Sequence, residues 1–268
     1  MIGGISMKKA ILVVSFGTSY KETREKTIGA IEERIQKEFP RYKVYRAFTS
    51  KIILRKLEKE GLKIMNVEEA LNQIKQDGIE ELIVQPTHMI NGIENDMMLA
   101  LIEKRKGDFI SVAVGNPLLH DPKDYKVLAD AIGKENPVEK DEMLILMGHG
   151  SSHYSNSAYP ALEYVFKDLG YHNTLIGTVE GYPAFEDVKR KMEWEKKQKA
   201  VLLPLMIVAG DHAANDMAGE EDSWKTQLEE AGYQVKCRLQ GLGEMEEIQQ
   251  IFVGHIKEAL EEVEYGGN

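Results

Sequence analysis

The sequence predicts an α/β protein made of two similar, doubly wound parallel-sheet domains with an active-site cleft between them. Three observations carry this. Short runs of Val, Ile and Leu alternate with helix-period segments along the chain, as in parallel strands covered on both faces. The stretch AILVVSFGTS (Ala10–Ser19) parallels MLILMGHGSS (Met143–Ser152), each an apolar run followed by a small-residue loop. Later, Ile83–Pro86 leads to Asn95–Met97 as Leu202–Pro204 leads to Asn215–Met217. The same grammar is written twice, in order.

Strands are expected at Lys9–Ser15, Lys43–Ala47, Glu81–Gln85, Phe109–Val114, Met143–Met147, Thr174–Thr178, Ala200–Leu205 and Gln234–Arg238. Between them, Ile28, Ile31, Ile35 and Phe39 recur at helical spacing until Pro40 ends the segment. Asp121-Pro122 reads as an N-cap and first-turn proline. The last helix carries Ile248, Ile251, Phe252, Ile256, Leu260 and Val263 on one side. The polar stretch Lys134–Asp141 marks a linker, so the domains are expected at residues 7–135 and 141–264.

Composition narrows the function. The 268 residues carry 44 acidic against 34 basic side chains, a formal charge of −10. Nucleic acid is not an expected partner, because phosphate-backbone binding needs a broad basic surface. A small anionic ligand feels only its local field and stays allowed. One cysteine, Cys237, rules out an internal disulfide framework and a multi-thiolate zinc site. No apolar stretch approaches the roughly 20 residues that span a bilayer, and the first apolar run, Ala10–Val14, is too short for a signal-peptide core and lacks a cleavage site. A cytoplasmic protein without membrane contact is expected; whether it forms a homo-oligomer is left open.

Ligands of open α/β sheets bind beyond the carboxyl ends of the strands. Three such ends in the second half carry metal-competent groups: His149 in GHGSSH, Glu180 in VEGYP and His212 in AGDHA. Two imidazoles and a carboxylate make an open site for a divalent first-row ion, and they are the expected metal-binding and catalytic residues. The equivalent first-half loop holds Phe16, so only one half is armed. His153 is a candidate support for His149. His88, at the end of the third strand, is a candidate substrate or proton-relay contact. His255 lies in an apolar helix face and is expected in the core; His120 and His172 are expected in solvent. Arg46, Lys51, Arg55 and Lys56 form an acid-free basic segment, read either as a solvated helix face or as a clamp for several carboxylates. No GxxxxGK[ST] loop, GxGxxG fingerprint or GxSxG elbow is present, so no nucleotide is expected.

At these residues the sequence resembles the anaerobic sirohydrochlorin cobaltochelatases of cobalamin biosynthesis, within the wider chelatase group that includes ferrochelatase. The resemblance runs through VVSFGTSY (Val13–Tyr20), YRAFTSKIILRKL (Tyr45–Leu57), MGHGSSH (Met147–His153), VEGYP (Val179–Pro183), PLMIVAGDHAANDMAGEEDSWK (Pro204–Lys225) and GLGE (Gly241–Glu244). Met1–Ser6 falls outside it and reads as an added leader. The resemblance implies ATP-independent insertion of Co²⁺ into sirohydrochlorin, an anionic tetrapyrrole, with Fe²⁺ or Ni²⁺ as alternative metals. It implies His149, Glu180 and His212 at the metal, and Ser15, Phe16, Gly17, Thr18, Arg46 and Arg55 at the substrate. The rival readings are an iron or nickel chelatase, a non-catalytic tetrapyrrole- or metal-binding protein, and a metal-dependent hydrolase. Ligation requires neutral imidazoles, so activity is expected to fall in acid.

Overall fold

The computed structural model describes residues 8–265, which leaves the Met1–Ser6 leader outside the described residues. The chain divides into two compact units: residues up to Leu118 with those from Gln249 on, and Leu119–Ile248. All eight expected strands form, with ends shifted by one or two residues.

The first unit contains β1 (Lys9–Ser15), α1 (Lys21–Arg24), a π-helical turn (Glu25–Gly29) running into α2 (Ala30–Glu38), β2 (Lys43–Phe48), α3 (Lys51–Lys59), α4 (Val67–Gln76), β3 (Glu81–Pro86), α5 (Ile93–Arg105) and β4 (Ser111–Val114). Its four parallel strands lie in the order β2-β1-β3-β4. The most apolar strand, β1, lies in the interior of the sheet with a neighbour on each side. Ala10 to Val14 are wholly buried, and each such Val, Leu or Ile is worth about 1.5–3 kcal/mol. Leu12, Val14 and Val84 pack with Ala70, Leu71 and Ile74 of α4 and Met98 and Ile102 of α5.

The second unit contains α6 (Pro122–Glu135), β5 (Glu142–Gly148), α7 (Ala158–Asp168), β6 (Thr174–Thr178), α8 (Phe185–Glu195), β7 (Lys199–Leu205), a π-helical turn (Ala213–Met217), α9 (Trp224–Glu230) and β8 (Gln234–Cys237). The order β6-β5-β7-β8 repeats that of the first sheet, again all parallel. Met143, Ile145 and Met147 of the central strand pack with Val188 and Met192 of α8 and Leu228 of α9.

The boundary differs from the expected one. It lies at Leu118/Leu119 rather than in Lys134–Asp141, and the last helix, α10 (Glu246–Tyr265), joins the first unit from Gln249 on. Asp121 caps α6 by accepting from the Lys123 and Asp124 amides at 2.7 and 3.2 Å, with Pro122 in its first turn. That helix then packs in the second unit, where the Tyr171 hydroxyl reaches Asp130 at 3.0 Å. On α10, Gln250 accepts from Arg34 of α2 at 2.8 Å, and His255 bonds the Asn116 carbonyl at 2.9 Å. An apolar helix face goes to whichever sheet face lacks cover, and adjacency in sequence does not decide which that is. The α10 stripe is buried through Ile256, while Val263 is 44% exposed. Among the described residues no helix is long and apolar enough to cross a membrane.

Candidate active site

Strands β6, β5 and β7 are neighbours, so the residues beyond their carboxyl ends are brought to one edge of the second sheet. His149 follows β5 directly, Glu180 lies two residues past β6, and His212 immediately precedes the π-helical turn after β7. The loops are laced by backbone bonds: the Val179 amide donates to the Gly148 carbonyl at 3.0 Å and the Glu180 amide to the His149 carbonyl at 2.8 Å. Gly150 adopts φ +82, and a Cβ there would come within 2.7 Å of the Thr178 side chain. Only glycine allows the chain to turn so tightly after the histidine.

The two imidazoles meet. The His149 and His212 rings are 4.6 Å apart between centroids, edge to face at 83°. Glu180 approaches His149 at Nδ1, 4.0 Å away. All three side chains reach solvent, at 38%, 35% and 60% exposure for His149, His212 and Glu180. Nδ1 of His149 bonds the Gly150 carbonyl at 2.9 Å, and Nδ1 of His212 bonds Asp216 Oδ2 at 2.6 Å. Among the described residues, no three His, Cys, Asp or Glu side chains close on one point as a finished ligand set. The arrangement is an imidazole pair with a mobile-length carboxylate beside it, open to solvent.

Three supporting residues lie outside the expected set. Asn156 accepts from the Ser151 amide at 2.9 Å and donates to the Tyr182 carbonyl at 2.6 Å, tying the His149 loop to the Glu180 loop. Tyr159 lies buried beneath Gly148, and burial pushes its phenol up to about 12. Nothing in the sequence singles out Asn156. Asp216 had a signal, since a carboxylate four residues after a histidine on a helical segment shares its face.

The other candidates fall in the first unit, apart from His153. His153 Nδ1 bonds Ser155 within its own loop. Ser15 is buried and accepts from the Thr87 hydroxyl at 2.8 Å. Phe16 is 46% exposed, Gly17 adopts φ +102, and Thr18 is buried, accepting from the Tyr20 amide at 3.2 Å. Arg46 is employed otherwise than the clamp reading expects. Its Nε donates to both Glu32 oxygens, on α2, at 2.8 and 3.0 Å. Burial pushes the Glu32 carboxyl up despite that arginine. Arg55 is exposed on α3 and pairs with no acid among the described residues. His88 is buried, with Nδ1 3.5 Å from Asn95 Oδ1 and Nε2 without a partner; burial pushes its pKa down. His255 is a core residue and His120 and His172 are exposed.

Two parallel α/β units with a histidine pair at adjacent strand ends define the class: this is a chelatase fold. It is shared with the structure of SirB from Bacillus subtilis with Fe³⁺, at a TM-score of 0.66 over 96% of this chain and 97% of that one; the 13% identity makes this a likeness of fold alone. Residues 9–261 match the family described as cobalt chelatase (CbiK), and the chain belongs to that family. It is 38% identical over 257 residues to the sirohydrochlorin cobaltochelatase of Salmonella typhimurium, covering 95% of this chain and 97% of the relative. It is 32% identical over 258 residues to the sirohydrochlorin cobaltochelatase CbiKC of Nitratidesulfovibrio vulgaris, covering 94% and 91%.

Proposed function

We propose that the protein is a metal chelatase that inserts Co²⁺ into sirohydrochlorin, without a nucleotide, in cobalamin biosynthesis in the cytoplasm. The observation that supports this most is family membership across residues 9–261 joined to an imidazole pair 4.6 Å apart at an exposed strand-end edge.

The chemistry has two demands. A hydrated ion must shed water, and the inner N–H protons of the macrocycle must leave as the metal enters. In this reading the neutral imidazoles of His149 and His212 take the ion and replace part of its water shell. A closed four-ligand site would keep it; two imidazoles with open positions bind it and still surrender it to four ring nitrogens. Glu180, on a long and largely exposed side chain, serves as third ligand or as acceptor of the departing protons. The ligand types suit Co²⁺, Fe²⁺ and Ni²⁺ alike, so the metal actually inserted is set by supply and by the macrocycle. Arg55 is assigned the peripheral carboxylates of the substrate, as a cation not already committed to an acid.

The test is an absorbance assay of metal insertion with sirohydrochlorin and Co²⁺, Fe²⁺ or Ni²⁺ at low enzyme concentration. Many product equivalents per enzyme are expected with Co²⁺. A yield capped at one equivalent would identify a carrier and end the chelatase reading.

A further inference from the structure

We propose that Asp216 is a positioning residue that holds the His212 ring with its proton on Nδ1, so that Nε2 is the nitrogen offered to the metal. Asp216 Oδ2 lies 2.6 Å from His212 Nδ1, the range of a charge-assisted bond. An ionised carboxylate can only accept, so the neutral ring must carry its hydrogen on Nδ1. Nε2 is then left with its lone pair, and among the described residues no group bonds it.

The contact is built into the backbone. His212 precedes and Asp216 lies within the π-helical turn Ala213–Met217, which sets the two side chains four residues apart on one face. Widened turns of this kind recur at functional sites. Ala213 and Met217, flanking them, are wholly buried, so the turn is anchored in the core while the pair faces outward.

His149 reaches the same state by another route. Its Nδ1 bonds the Gly150 carbonyl at 2.9 Å, and a carbonyl also only accepts. Both rings therefore carry their hydrogen on Nδ1, one held by its own backbone and the other by a side chain. A carboxylate behind a metal-binding imidazole fixes ring orientation and strengthens the nitrogen donor, and losing such a partner typically costs 10–100-fold in metal affinity.

The assignment rests on the metal-site reading only in naming metal as what Nε2 meets; the tautomer is a property of the protein alone. The experiment uses the full chain as wild type, Asp216→Ala, Asp216→Asn and His212→Ala. Nitrogen NMR of the histidine rings, without metal, reads the tautomer, and titration with Co²⁺ alone reads affinity. The Nδ1–H form should dominate at His212 in the wild type and lose that dominance in Asp216→Ala, with Co²⁺ affinity falling about 10–100-fold. Asp216→Asn, which keeps a neutral acceptor, should fall between them. A wild-type tautomer at His212 in Asp216→Ala overturns the proposal, and so does unchanged Co²⁺ affinity in that variant if His212→Ala weakens binding. If His212→Ala binds Co²⁺ as wild type does, the metal-site reading fails, and the tautomer measurement still decides whether Asp216 sets the ring.

Discussion

The two units share a sheet order and differ in what they place at its edge. Their backbones correspond closely. The Ser50 amide donates to the Phe16 carbonyl as the Glu180 amide donates to that of His149, and Asp96 bonds Gly92 as Ala214 bonds Gly210. Gly17 and Gly150 both turn at positive φ. This equates Phe16 with His149, Ser50 with Glu180 and Glu94 with His212. Ser50 is spent on capping α3, and Phe16 offers an apolar ring. One scaffold thus carries an imidazole pair in one copy and none in the other. The lesson is that the turn geometry is a property of the fold, whereas the chemistry resides in single side chains set upon it.

The sharpest way to break that comparison is to exchange equivalents. His149→Phe gives the second unit the residue of the first, and insertion should fall by more than about a hundredfold, the upper range for losing a mere supporting partner of a ligand. The circular dichroism spectrum should be unchanged, because the ring is partly exposed and the loop is held by backbone bonds. Insertion at the wild-type rate would refute the assignment of His149.

A smaller effect separates structural from substrate-binding cations. Arg46 stands where the second unit has Ile176, by the registers of β1 with β2 and β5 with β6. Arg46→Ile strands Glu32 in a part-buried site, and unfolding free energy should drop by about 1–3 kcal/mol, less than for a fully buried pair because Arg46 is 26% exposed. Arg55→Ala should leave stability within about 0.5 kcal/mol and raise KM for the macrocycle at low salt, with the difference shrinking as salt screens it. A melting curve and a KM measured at two salt concentrations check both. Equal loss of stability in the two variants would erase the distinction.

The smallest effect concerns His88, whose equivalent beyond β7 is Met206. Burial holds its imidazole neutral in the folded unit, whereas the unfolded chain takes up a proton below about pH 6.5. The unfolded state then binds more protons, so stability declines as pH falls through that range and is unaffected above it. His88→Met should remove up to about 1.4 kcal/mol per pH unit of this decline. Urea unfolding at mildly acidic and neutral pH measures it, and parallel declines in both proteins would show that His88 is protonated in the fold.

Much of this was legible early because period and composition report it directly. Short apolar runs, most of them continuous, located the strands, and Asp121-Pro122 located the start of α6. His149, Glu180 and His212 could be singled out because each follows a strand, and strand ends are where α/β sheets place ligands. The Arg46–Glu32 pair was not legible for a physical reason: the charge of Arg46 on β2 is visible in sequence, but its partner Glu32 lies on α2, and only packing brings the two together.

By itself the chain determined which segments are strands, that the pattern is doubled, and which copy bears histidines after two of its strands, since these follow from local periodicity and residue type. Tertiary structure decided that α6 closes the second unit and α10 the first, that Asn156 ties two loops, and that Asp216 stands behind His212. Those depend on which surfaces remain uncovered and on distances of a few ångströms between groups, quantities a linear pattern does not contain.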